Sequence, residues 1–92
     1  MTLHEWKEIK NDYLSNSQEF IFDYGENKRI YLCWSGNEEL PYCVNVCVRK
    51  RRHILPDKWV TIHTEEYTSQ TELLGSFRID GKTLDEVFDQ LD

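Results

Sequence analysis

No apolar run in this chain approaches the roughly 20 residues that a membrane-crossing helix needs, so no membrane partner is expected. The opening residues, Met1-Thr2-Leu3-His4-Glu5, are charged and amphipathic, which is not the form of a signal peptide. Cysteine is scarce: three residues, an odd number, with no C-x-x-C spacing. That argues against a disulfide framework and for reduced thiols in a cytoplasmic protein. Glycine is scarce as well, and its four residues form no run that would cradle a phosphate. There is no internal repeat and no linker. Positive charge is the rarer sign, 11 Lys and Arg against 17 Asp and Glu, for a net charge of −6. Such a chain repels phosphates as a whole, which disfavours non-specific binding to nucleic acid.

What is present is enough for one packed domain over residues 1–92. The hydrophobic fraction is 39%, and 3 Trp, 5 Tyr and 4 Phe argue for a folded core. The charge is unevenly placed. Within residues 49–58, Arg49, Lys50, Arg51, Arg52 and Lys58 face only Asp57, a local +4 that leaves −10 on the rest.

The chain is organised around Tyr42-Cys43-Val44-Asn45-Val46-Cys47-Val48, which alternates like a central strand and runs straight into Arg49-Lys50-Arg51-Arg52-His53. Before it, Thr2-Leu3-His4-Glu5 has the capping-box form, and Leu3, Trp6, Ile9 and Tyr13 follow at helical spacing, predicting a first helix that ends near Ser15-Asn16. Gln18–Tyr24 and Lys28–Trp34 alternate on either side of the turn Gly25-Glu26-Asn27. Ser35–Pro41 reads as a longer loop, and Lys58–Tyr67 as a fourth strand. Ser69-Gln70-Thr71-Glu72 caps a short helix that Gly75 can end. Thr83-Leu84-Asp85-Glu86 caps a last one bearing Leu84, Val87, Phe88 and Leu91. The class is α+β: an N-terminal helix, a four-stranded antiparallel meander, and two C-terminal helices packed on one face of the sheet.

Because strand side chains alternate with period two, few registers keep apolar residues on one face. Phe22 with Ile30, Phe20 with Leu32, Leu32 with Val44, Ile30 with Val46, Val46 with Ile62 and Val48 with Val60 are mutually compatible. They gather a core face of Phe20, Phe22, Ile30, Leu32, Trp34, Tyr42, Val44, Val46, Val48, Val60 and Ile62. The opposite face then carries Ile21, Asp23, Arg29, Tyr31, Cys33, Cys43, Asn45, Cys47, Arg49, Trp59, Thr61, His63, Glu65 and Tyr67, with Asp23 beside Arg29. It is too polar for a second core and too aromatic for a plain solvated surface.

Three constellations are candidates for chemistry, two on that face and one at the basic turn. Cys33, Cys43, Cys47 and His63 are metal-ligand types, but Cys43 and Cys47 lie four residues apart on a strand, roughly 13 Å, too far for one ion. The plain reading is inert, half-buried side chains. Cys43 or Cys47 with His63, oriented by Glu65, is formally a nucleophilic pair, yet a sheet this small offers no cleft or oxyanion site. The basic turn 49–53 with Trp59 and Tyr31 nearby supplies cations for phosphates and rings for bases. The plain alternative is a solvated hairpin end whose charges discourage edge pairing.

The ending Glu72-Leu73-Leu74, then Phe77-Arg78-Ile79-Asp80-Gly81-Lys82-Thr83-Leu84, resembles the C-termini of small proteins of Gram-positive bacteria and their phages and mobile elements. It covers about a quarter of the chain and is mostly turn and cap chemistry. The resemblance implies a small cytoplasmic protein and transfers no catalytic residue. Small proteins in that setting often act by binding and blocking another protein.

These features together favour a non-enzymatic protein–protein interaction module, an inhibitor or adaptor using the open sheet face, with no cofactor, no metal and no catalytic residue. Tyr31, Arg49, Trp59, His63 and Tyr67 would form its contact surface, joined by Arg51 and Arg52 at the basic turn. The alternative is a nucleic-acid-binding module using the turn, and third a Cys/His metal or enzyme site. A homodimer through the open face would consume the same surface.

Overall fold

A computed structural model describes all of residues 1–92. Helix α1 spans Leu3–Asn16, strands β1 to β4 span Phe20–Tyr24, Lys28–Trp34, Tyr42–Lys50 and Lys58–Tyr67, and helices α2 and α3 span Gln70–Ser76 and Leu84–Val87. The four strands form one antiparallel sheet in the order β1-β2-β3-β4. The helices pack on one face of it, so the α+β architecture expected from the sequence is the one observed.

Each start signal has a physical counterpart. Thr2 accepts a hydrogen bond from the Glu5 N–H at 3.2 Å and donates its own N–H to the Glu5 carboxylate at 3.1 Å. This satisfies amides that a helix start leaves unpaired. Ser69 caps α2 by accepting from the Glu72 N–H at 3.0 Å, and the Glu86 carboxylate accepts from the Thr83 N–H at 3.1 Å. The β1–β2 turn opens on Gly25 at φ +67°, a conformation that costs glycine little. In Asp80-Gly81 both residues take positive φ, closing a tight turn in which Ile79 and Lys82 exchange backbone hydrogen bonds. The C-terminal sequence pattern is thus a turn and a cap, as its composition implies.

The core lies between helices and sheet. It joins Trp6 and Tyr13 of α1, Phe22, Ile30, Leu32, Val44, Val46 and Tyr67 of the sheet, and Leu73, Phe77, Ile79, Leu84, Val87 and Leu91 of the C-terminal part. Trp6 meets Phe22 edge to face, with centroids 6.0 Å apart, and its indole N–H donates to Asp85 at 2.7 Å. Lys10 reaches the same carboxylate oxygen at 2.8 Å, tying α1 to α3.

Two helix ends differ from expectation. Gly75 stays inside α2, and the buried Phe77 ends it. The last helix makes only one α turn, then a 3-10 turn over Phe88–Gln90, because Leu91 leaves it to bridge Tyr24 while Asp92 exchanges two 2.9 Å hydrogen bonds with Asp23. The C-terminus thereby closes the β1 edge.

The β1–β2 and β2–β3 registers match the sequence reading at every stated pair, and Val48 opposes Val60 as expected. The pairing of Val46 with Ile62 does not hold. A β-bulge opposite Val46 and Cys47 inserts Ile62 as an extra residue, so Cys47 opposes Thr61 and Val46 opposes His63. Beyond a bulge the alternation inverts. Ile62 is 56% exposed instead of buried, while Tyr67 turns into the core. Trp34, expected in the core, lies at its rim, half-exposed against Tyr42 with centroids 5.1 Å apart.

Candidate binding face

The face away from the helices has no element packed over it. Strand register brings Asp23, Arg29, Tyr31, Cys33, Cys43, Asn45, Cys47, Arg49, Trp59, Thr61, Thr64 and Glu66 to it. At its centre Asn45 acts as a hub. Its amide donates to the Cys33 thiol sulfur at 3.4 Å, and its carbonyl accepts from the Thr64 hydroxyl at 2.6 Å and the Cys43 thiol at 3.7 Å. Cys47 and Thr61 pair at 3.4 Å. Cys43 and Cys47 are only 4% and 6% exposed under these neighbours.

Towards the β3–β4 loop the face becomes aromatic and cationic. The Arg29 guanidinium lies 4.1 Å from the centroid of the Trp59 ring and that of Arg49 lies 5.0 Å away. Both distances are within cation–π range. Arg29 is held from behind by Asp23 at 2.7 Å, the ion pair expected from the sequence. Arg49 sits 3.7 Å from Asp57, too far for a hydrogen bond, and its Nε is buried without a partner. Beside this stack, Tyr31, Asn45, Cys47, Trp59 and Thr61 line a shallow depression of about 260 Å³.

Of the residues expected to bind, Tyr31, Arg49 and Trp59 are brought together here. Arg51 and Arg52 are not on the sheet but in the exposed loop beyond it, where Arg52 donates to the Pro56 carbonyl at 2.9 Å. His63 and Tyr67 are corrections: the bulge sends them, with Glu65, to the helix-side face. There Tyr67 is buried, its hydroxyl donates to Glu65, and His63 meets the other Glu65 oxygen at 2.7 Å. Thr64 and Glu66 take the places that His63 and Glu65 were expected to hold. The Cys/His pair and the Cys/His metal set therefore lose their histidine to the opposite face. No group of three or more His, Cys, Asp or Glu side chains converges as a metal site would require. Burial pushes the Cys43 thiol up to about 12, and burial likewise raises Cys33, which keeps both thiols protonated and weakly nucleophilic near neutrality.

Two features escaped the sequence. The sequence shows Arg29 as half of an ion pair with Asp23, whereas its diagonal position towards Trp59 follows only from the register. Ile54 and Leu55, 86% and 55% exposed, stand among the cations of the loop. They are exposed because β3 and β4 run on to Lys50 and Lys58 while β2 stops pairing at Val48, so the hairpin overhangs the sheet. No local sequence signal separates such a pair from a buried one.

Comparison of the chain with protein-family models, with curated proteins and with solved structures gives no match. No helix is long and apolar enough to cross a membrane.

Proposed function

We propose that the chain is a non-enzymatic, cytoplasmic protein–protein interaction module, an inhibitor or adaptor of the kind carried by phages and mobile elements. It binds its partner through the uncovered sheet face. The observation that carries this reading is the Arg29–Trp59–Arg49 stack beside Tyr31 and the shallow depression. Tryptophan, tyrosine and arginine are the side chains that dominate interface energies, and here they are pre-positioned, so little conformational entropy remains to be lost on binding. The thiols and hydroxyls around them bond to one another, which suits a docking surface better than a reaction centre.

A second reading, nucleic-acid binding by the basic loop, is favoured by one observation: Lys50, Arg51, Arg52 and His53 have no carboxylate partner. The two readings separate experimentally. With a partner captured from cells that carry the protein, then purified and rebuilt with it, Trp59→Ala should cost about 2 kcal/mol or more of binding. Arg51→Ala/Arg52→Ala should mainly slow association, an effect that fades at high salt. A gel shift with single- and double-stranded DNA and RNA at low salt is expected to give no retention. Retention abolished by Arg51→Ala/Arg52→Ala would replace the first reading by the second.

A further inference from the structure

The two edges of the sheet are treated differently. The β1 edge is closed by the chain's own Leu91 and Asp92, whereas no backbone hydrogen bond leaves the outer edge of β4. In β3 the Arg49 N–H bonds back to Asn27 at 2.8 Å, so odd-numbered β3 residues serve β2 and even-numbered ones serve β4. The partners of the even set, Lys58, Val60, His63, Glu65 and Tyr67, therefore point their backbone groups inward. Trp59, Thr61, Thr64 and Glu66 turn theirs to solvent, and all four carry their side chains on the open face.

The bulge makes this outward set symmetric about the midpoint between Ile62 and His63. A second β4 laid antiparallel across a two-fold axis at that midpoint opposes Trp59 with Glu66 and Thr61 with Thr64. In each pair the faces match and the free N–H and C=O groups meet. Charge agrees with the same geometry. The strand starts at the basic loop, and it ends in Glu65 and Glu66, with Glu72 just beyond. Antiparallel pairing sets the cations of each copy beside the carboxylates of the other, while parallel pairing would oppose like with like. Between these ends, Trp59–Thr64 contains no Lys, Arg, Asp or Glu and is rich in β-branched residues, with exposed Ile62 at the axis.

We propose that two copies of the chain associate through their β4 edges into a continuous eight-stranded sheet. The open face of each copy stays uncovered, so the dimer leaves the Arg29–Trp59–Arg49 stack available to a partner and shares only the basic loop with the partner reading above. Sedimentation velocity and light scattering on the full chain at low salt test it, with a mass of twice 11.1 kDa expected. Thr61→Pro removes an outward N–H that the fold does not use, and should raise the dimer dissociation constant on the order of tenfold or more with an unchanged circular dichroism spectrum. Arg51→Glu/Arg52→Glu and Glu66→Lys/Glu72→Lys should each be monomeric alone and should dimerise when mixed, which decides the matter even where Thr61→Pro disturbs folding. A monomeric wild type at every concentration overturns the proposal. So does a dimer that survives Thr61→Pro and both charge variants but is lost in Tyr31→Ala, since its contact would be the open face.

Discussion

Asn45 shows how one side chain sets the character of a surface. Its amide and carbonyl bind two thiols and a hydroxyl from three strands, so the centre of the open face is held together without a second core. The cysteines around it are free and shielded to different degrees, Cys33 half-buried, Cys43 and Cys47 buried. A mild alkylating agent at neutral pH should modify Cys33 first, with Cys43 and Cys47 reacting only as the domain opens. Three free thiols should be counted after unfolding. Mass spectrometry of the time course checks this, and equal rates at all three positions would mean that the hub does not shield them.

At the scale of the element, β4 is decided by one inserted residue. Ile62 stands outside the pairing with β3, and everything after it changes side. Val46, 4% exposed, remains in the core, so Val46→Asp should unfold the domain or cost about 4 kcal/mol or more, because it buries an unpaired charge. In the Arg51→Glu/Arg52→Glu background, where the β4 edges do not pair, Ile62→Asp should stay within about 0.5 kcal/mol of its parent, as exposed substitutions do. Asn45→Asp, which keeps the acceptor oxygen of the hub, should also fold. Thermal melts of the three variants give the answer. A large loss in Ile62→Asp would restore the regular register and return His63 and Tyr67 to the open face.

The whole molecule is closed by its ends. The N-terminal ammonium donates to the Leu91 carbonyl at 3.0 Å, Leu91 is fully buried, and Asp85 joins α1 to α3. This closure has a pH signature. Burial pushes the Asp85 carboxyl up, but hydrogen bonds from Lys10 and Trp6 outweigh it and leave it below its ordinary 3.8. Glu65 is likewise lowered, burial being outweighed by Tyr67 and His63, and the caps lower Glu5 and Glu86 through Thr2 and Thr83. A carboxyl depressed in the folded state binds its proton more weakly there than in the unfolded chain. Its stabilisation is therefore complete above the unfolded pKa and is lost as the pH falls through the folded one. Urea titrations should find stability insensitive to these groups above about pH 5 and falling below it. Asp85→Asn should be less stable at neutral pH and show a shallower acid limb. An unchanged acid limb would remove Asp85 from the closure.

The sequence by itself determined the element order, the helix starts and three-quarters of the register. Caps, turns and alternation are local, and a slip of one residue on β1, β2 or β3 would have exposed Phe22, Ile30 or Val44. It also placed Tyr31, Arg49 and Trp59 on one face, and paired Asp23 with Arg29. What only the tertiary structure decided lies beyond Ile62. Lys58–Tyr67 alternates as well with a bulge as without one, because Ile62 and Tyr67 are both apolar, and no local term says which of the two is buried. Packing of Tyr67 into the core selects the bulge, and with it the loss of His63 from the open face. The exposure of Ile54 and Leu55, the closure of β1 by Asp92 and the free edge of β4 follow from strand lengths and chain ends meeting in space, which spacing along the chain does not encode.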